Sequence, residues 1–321
     1  MLARDLIQRV REIQIHTGRQ VADVLAGQYV SVFRGRGVEF EEVRPYVPGD
    51  DVRTIDWNVT ARMGEPFVKR YVEERQLSLM LMADISASQD FGSGGRSKRE
   101  AAAELCALLA FSATRNDDKV GLTLFHGGIE KYIPARKGQR HSLRVVREVL
   151  AHGTDDLATN ATNVGRRARW LPWGRRRAWA PSGRQATHIA GAMEFLMSVT
   201  TRKSVCFVVS DFLDDDYLPA MRMANRKHDV IAVLITDPRE LEFPAVGLMR
   251  LQDAETGRNV AVDTGSRQFR DQVRTLGNQR VESLRRALGA SSIDFIHIDA
   301  AGSIVDPLVK FFRMRERRMH R

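Results

Sequence analysis

The chain has 321 residues, 43% of them hydrophobic and 28% charged, with a formal net charge of +10. That length accommodates one large domain or two moderate ones around a packed core, and no apolar run reaches the roughly 18 residues that would suggest a membrane span. The two cysteines, Cys106 and Cys206, both lie in apolar segments, which fits buried thiols in a reducing compartment better than a disulfide framework, so cytoplasmic residence is expected.

Residues 1 to about 30 read as a helix, with Ile7, Val10, Ile13 and Ile15, then Val21, Val24 and Leu25, near helical spacing. This stretch is charged and amphipathic and lacks the apolar core of a secretory signal. The segment FRGRGVEFEEVRPYVPGDDVRTIDWNVTARMGEP, rich in Gly, Pro and Asp, reads as loops and short strands. Its Asp50, Asp51 and Asp56 are read as turn caps with an Arg53–Asp pair, in preference to a second acidic metal site, and Trp57 and Tyr46 as packing residues.

From Leu77 the pattern becomes regular. LSLMLMA is a strand. SKREAAAELCALLAFSATRN is a helix in which Ser97 and Glu100 have capping-box spacing. KVGLTLF is a strand with IEKYIP paired to it, and HSLRVVREVLAHG is a helix ending at Gly153. THIAGAMEFLMSVTT is a helix with Thr187 in the N-cap position. SVCFVVS is a strand, DDYLPAMRMANRKH a helix and DVIAVLIT a strand. Residues 247–264 read as a β-hairpin turning near Thr256-Gly257, followed by a long helix, a last strand SIDFIHID and a last helix VDPLVKFFRMRERRM. Continuously apolar strands alternating with helices predict an α/β fold: a Rossmann-like, mostly parallel sheet with helices on both faces. The organisation expected is an amino-terminal unit over 1–75, a main domain over 76–300, and a carboxy-terminal helix with a basic tail over 301–321.

The stretch at about 154–184 breaks the rhythm. It holds three Trp and, between Gly165 and Arg184, Arg166, Arg167, Arg169, Arg175, Arg176, Arg177 and Arg184 with no acidic residue. Most of the net charge is therefore local, and no long basic face is implied. We read a loop insertion; the alternative is a basic-aromatic surface for nucleic acid.

The chemistry sits in three places. The strand LSLMLMA runs into Asp84, Ser86 and Ser88, spaced two apart. On leaving a strand, alternate residues can face one way, so one carboxylate and two hydroxyls are presented together. These are hard oxygen donors suited to Mg²⁺ or Mn²⁺. By itself this D-x-S-x-S spacing is weak, because serine-rich strand ends are commonly turns. The second buried strand ends in Asp211, and the helix before it begins at Thr187. The set offers oxygen only, with no His or Cys, which argues against zinc. In open parallel sheets, sites form at the carboxyl ends of strands where chain direction switches.

Strand–DxSxS, a Thr loop and strand–SD together resemble the metal-ion-dependent adhesion site of von Willebrand factor A domains. The match is closer to the bacterial DUF58 family, whose core is von Willebrand A-like. GRGVEFEEVRPYVPGDDVRTIDWNVTAR, FVKRYVEER, LMADISASQDFGS, DKVGLTLF and VVSDF carry it, in order. The resemblance implies that Ser86 and Ser88 bind a divalent cation directly, that Thr187 is a direct or switchable ligand, and that Asp84 and Asp211 anchor the ion, partly through water. It further implies a non-enzymatic interaction module in which a protein partner's Asp or Glu completes the metal shell, an adaptor or cochaperone working with a MoxR-type AAA+ ATPase. Many relatives carry membrane spans; this chain looks like the short soluble form. His188 and Gln89 depart from the family pattern, and GTDDL at 153–157 also resembles the threonine loop; Thr187 is preferred because a helix of suitable length links it to the SVCFVVSD strand.

Two alternatives from other classes remain. A Mg²⁺-dependent phosphoester hydrolase would use Asp84 as nucleophile, but such enzymes normally need an acid two residues on, and that position is Ser86. Neither a G-x-S-x-G elbow nor a P-loop is present. Nucleic-acid binding through the Arg/Trp stretch would weaken steeply with salt.

Overall fold

The structure is a computed structural model that describes residues 38–73, 77–151, 187–252 and 259–319. The expected amino-terminal helix, the GTDDL stretch, the 154–184 insertion, the hairpin turn at Thr256-Gly257 and the last residues of the basic tail lie outside the described residues.

The chain first forms β1 (Val38–Pro45) and β2 (Phe67–Glu73), an antiparallel pair with a register shift between Phe40 and Glu42. Between them lie a single 3₁₀ turn at Val52–Thr54 and α1 (Trp57–Met63). Sequence reading expected only loops and strands here. The helix forms because Asp56 caps it, accepting from the Asn58 and Val59 N–H groups, and Gly64 closes it in the left-handed conformation. Asp51 likewise accepts from the Arg53 N–H. The ion pairs differ from the expected Arg53–Asp link: Asp50 takes both guanidinium nitrogens of Arg44 at 2.7 and 2.8 Å, and Asp56 pairs with Lys69. Trp57, expected to pack, is 69% exposed.

A six-stranded sheet follows, built from β3 (Ser78–Asp84), β4 (Lys119–Phe125), β5 (Ile129–Arg136), β6 (Val205–Ser210), β7 (Asp229–Thr236) and β10 (Asp294–Asp299). Its order is β10-β7-β6-β3-β4-β5, parallel throughout except for β5, which runs antiparallel to β4. The helices are α2 (Lys98–Arg115), α3 (Gln139–Ala151), α4 (Ile189–Val199), α5 (Leu218–Lys227), the one-turn α6 (Pro238–Leu241), α7 (Arg267–Ala290) and α8 (Val305–Met319). β8 (Leu248–Gln252) and β9 (Asn259–Asp263) make the expected hairpin.

Strand period explains the two cores. Leu79, Leu81 and Ala83 of β3, with Phe207 of β6 and Val233 of β7, face α2, α3 and α8. Met80 and Met82, with Cys206, Val208 and Ala232, face α4, α5 and α7. Alternate side chains point to opposite faces, so a strand buried on both reads as one apolar run. Each large aliphatic side chain so buried contributes about 1.5–3 kcal/mol. The α/β sheet with helices on both faces thus follows from the sequence pattern.

Strand order fixes where a site can form. From β3 the chain moves through α2 to β4 on one side; β6 lies on the other side of β3 and leads outward to β7 and β10. The gap between the carboxyl ends of β3 and β6 is therefore a topological switch point.

Candidate functional site

Asp84 closes β3 at that switch point and is 2% exposed. Its Oδ1 accepts from the Ser86 N–H at 2.8 Å. Its Oδ2 accepts from the Ser210 hydroxyl at 2.6 Å and from the Thr187 hydroxyl at 3.3 Å. Ser86 is buried, and its Oγ lies 3.1 Å from Ser88 Oγ at the start of the short 3₁₀ turn Ala87–Asp90. Burial, and then the charge of Asp211, push the Asp84 carboxyl up to about 6, against hydrogen bonds from Ser210 and Ser86 that favour its ionised form.

Asp211 follows directly after β6 and is buried. Its Oδ2 accepts from Lys98 Nζ at 2.9 Å. Its Oδ1 is buried with no hydrogen-bond partner among the described residues. Phe212 then adopts a left-handed φ of 54°, rare for a bulky residue, and its N–H donates to Ser210 Oγ at 3.1 Å. This turn holds Ser210 between Asp84 and the loop that carries Asp211.

The five residues singled out from the sequence are thus linked: Asp84 joins Ser86 and Thr187 by hydrogen bonds, Ser86 meets Ser88, and Asp84 and Asp211 interact electrostatically. Thr187 departs from expectation in one respect. It is not the N-cap of α4; His188 holds that position without a side-chain cap bond. Asp214 Oδ2 instead accepts from the Ile189 N–H at 2.7 Å. That frees the Thr187 hydroxyl to donate to Asp84.

Among the described residues no three His, Cys, Asp or Glu side chains form a metal-ligand group. A cation here would rest on two carboxylates and a set of hydroxyls. The acidic turn at Asp50, Asp51 and Asp56 is accounted for by its caps and ion pairs.

The sequence profile of a family described as "Protein of unknown function DUF58" matches residues 42–283. This chain belongs to the DUF58 family. Uncharacterized proteins of Mycobacterium bovis and Mycobacterium tuberculosis are each 29% identical to it over 290 residues, covering 89% of this DUF58 chain and 83% of theirs. Among solved structures, a conserved hypothetical protein BatB from Bacteroides thetaiotaomicron covers 75% of this chain and 99% of its own at 14% identity and a TM-score of 0.43. An aerotolerance-related membrane protein from Bacteroides fragilis covers 74% of this chain and 99% of its own at 14% identity and a TM-score of 0.44. No helix among the described residues is long and apolar enough to cross a membrane.

Sequence reading of the DUF58 chain missed four contributors. Ser210 stood in the quoted VVSD motif, but nothing local marked its hydroxyl as a partner of Asp84. Lys98 has a sequence signal: it opens α2, where the helix dipole disfavours a cation. Its ammonium reaches Asp211 and, at 2.5 Å, Glu240 of α6. Burial lowers the Lys98 pKa, but the charges of Asp211 and Glu240 outweigh it and leave it above the ordinary lysine value. Asp214 and Asp237 are the others; Asp237 accepts from the Ser93 N–H at 2.7 Å and from its hydroxyl at 2.5 Å, anchoring the glycine loop. Gly92 is required there, since a Cβ would lie 2.6 Å from Ser97 Cα.

Proposed function

We propose that this DUF58 protein carries a von Willebrand A-like domain whose metal-ion-dependent adhesion site is built by Asp84, Ser86, Ser88, Thr187 and Asp211, and that it acts as a non-enzymatic, divalent-metal-dependent interaction module. The observation that carries the reading is the buried Asp211 Oδ1 with no donor, beside a cluster of hydroxyls at the switch point. A buried carboxylate oxygen without a partner is costly. An oxygen-only set of this kind fits Mg²⁺ or Mn²⁺ rather than a softer metal.

The chain's own residues divide the work. Asp84 accepts the hydrogens of Ser210 and Thr187, and a hydroxyl that gives up its hydrogen keeps its lone pairs for an ion. Ser86 and Ser88 supply neutral oxygens, so little negative charge is spent. A divalent ion held here supplies a Lewis-acidic position for an Asp or Glu of a partner protein. In this reading the partner system is a MoxR-type AAA+ ATPase, with the protein as its cytoplasmic adaptor or cochaperone. Asp84 is poorly placed as a phosphoesterase nucleophile, because it is buried and both oxygens are engaged.

The test compares wild type with Asp84→Ala/Ser86→Ala in thermal unfolding and in lysate pull-downs, each with Mg²⁺ and with EDTA. Mg²⁺ is expected to raise the wild-type Tm and to enrich an ATPase partner, with both effects lost in the variant. Identical Tm shifts and identical partner sets in the two proteins would reject the module.

A further inference from the structure

Lys98 is 1% exposed and stands between two carboxylates. Its placement is unfavourable on two counts: it is a cation at a helix N-terminus, and its ammonium is removed from water. Buried ion pairs seldom stabilise a fold more than well-packed apolar residues would. The unused Asp211 Oδ1 shows that the lysine satisfies only half of that carboxylate.

We infer that Lys98 is a built-in counter-cation that restrains the divalent affinity of the Asp84–Asp211 site, and that Glu240 sets the strength of that restraint. The inference rests on the metal reading above. Counting Asp84, Asp211 and Lys98, the protein offers the ion one net negative charge instead of two. A bound divalent ion therefore keeps net positive charge, which an incoming carboxylate neutralises. Lys98 also gives Asp211 a charged partner when no ion is bound, so the two buried aspartates do not simply repel. Glu240 withdraws part of the lysine's charge at 2.5 Å and is itself shared with Arg280 at 3.4 Å. It lies 22% exposed, so the outer end of the relay is open to change.

A charge role and a packing role make different predictions. Lys98→Met removes a buried positive charge beside Asp211, so Mn²⁺ should bind about tenfold or more tighter. Glu240→Gln removes the countercharge, so Mn²⁺ should bind several-fold more weakly. The double variant should fall between them. A purely structural role would weaken binding in both single variants.

The experiment is Mn²⁺ titration of the full chain, followed by electron paramagnetic resonance of the free ion, for wild type, Lys98→Met, Glu240→Gln, the double variant and Asp84→Ala. Circular dichroism and urea midpoints report folding. Tighter binding in Lys98→Met together with weaker binding in Glu240→Gln supports the inference. Unchanged or weaker binding in a folded Lys98→Met, or shifts of the same sign, overturn it. If Lys98→Met does not fold, Lys98→Gln, which keeps a polar side chain but no charge, takes its place: tighter Mn²⁺ binding supports the inference, and unchanged or weaker binding overturns it. If Asp84→Ala loses Mn²⁺ while the Lys98 and Glu240 variants match wild type, only this inference fails. If wild type and Asp84→Ala behave alike, the metal site itself fails and the inference with it.

Discussion

Asp84→Asn, studied in EDTA, isolates the cost of holding an ionised carboxylate at this strand end without a metal. The folded Asp84 carboxyl stands at about 6 against an ordinary 3.8, raised by burial and then by Asp211. A raised acid contributes stability below its unfolded pKa and loses it as pH climbs through the folded value. The shift of roughly two units corresponds to about 3 kcal/mol, all of it lost by pH 7. Asparagine cannot ionise and so lacks this slope. It can still accept from the Ser86 N–H, and the Ser210 and Thr187 hydroxyls can turn to accept from its amide, so its other effects do not depend on pH. His228 slopes the opposite way in both proteins, because burial and then Lys227 lower it to about 4, and it cancels in the difference. Urea unfolding from pH 4.5 to 7.5 should therefore show the stability difference moving by about 2 kcal/mol in favour of the asparagine variant as pH rises. A flat difference across that range would refute the assignment of the shift to Asp84.

Three further outcomes follow from the packing around the site. Ser97→Ala removes a complete capping box at the start of α2, and urea unfolding should show a loss of about 1 kcal/mol. Gly92→Ala forces a Cβ to within 2.6 Å of the Ser97 backbone, so it should cost about 1–3 kcal/mol and weaken Mn²⁺ binding, whereas Gly95→Ala, which meets nothing within 4 Å, should do neither. Cys106 and Cys206 are buried free thiols, with burial pushing Cys106 up to about 12 and Cys206 higher still; Ellman's reagent should modify neither in the native protein and both in denaturant, and rapid native reaction of either would contradict the packing.

Much of the fold was legible because its signals are local. β3 and β6 stand out as apolar runs, and the structure puts Leu79 and Leu81 on one face of the sheet and Met80 and Met82 on the other, as a two-residue period requires. Ser97 and Glu100 marked the start of α2 at the spacing the structure uses. The helix α1 was harder to read, because its caps, Asp56 and Gly64, enclose only seven residues in a stretch dense with turn formers. Thr187 reads as a cap because threonine favours that role; a hydrogen bond from the Ile189 N–H to Asp214, 25 residues on, leaves it for another.

The sequence by itself determined the sheet, its two buried faces and the oxygen donors at its strand ends, since periodicity and spacing are properties of short stretches. Only the tertiary structure decided that β6 lies beside β3, bringing Ser210 against Asp84 across 126 residues and Lys98 against Asp211 across 113. Strand order follows from how the whole chain buries both faces of one sheet. The charge balance of the site follows from what that order brings together, and no local pattern encodes it.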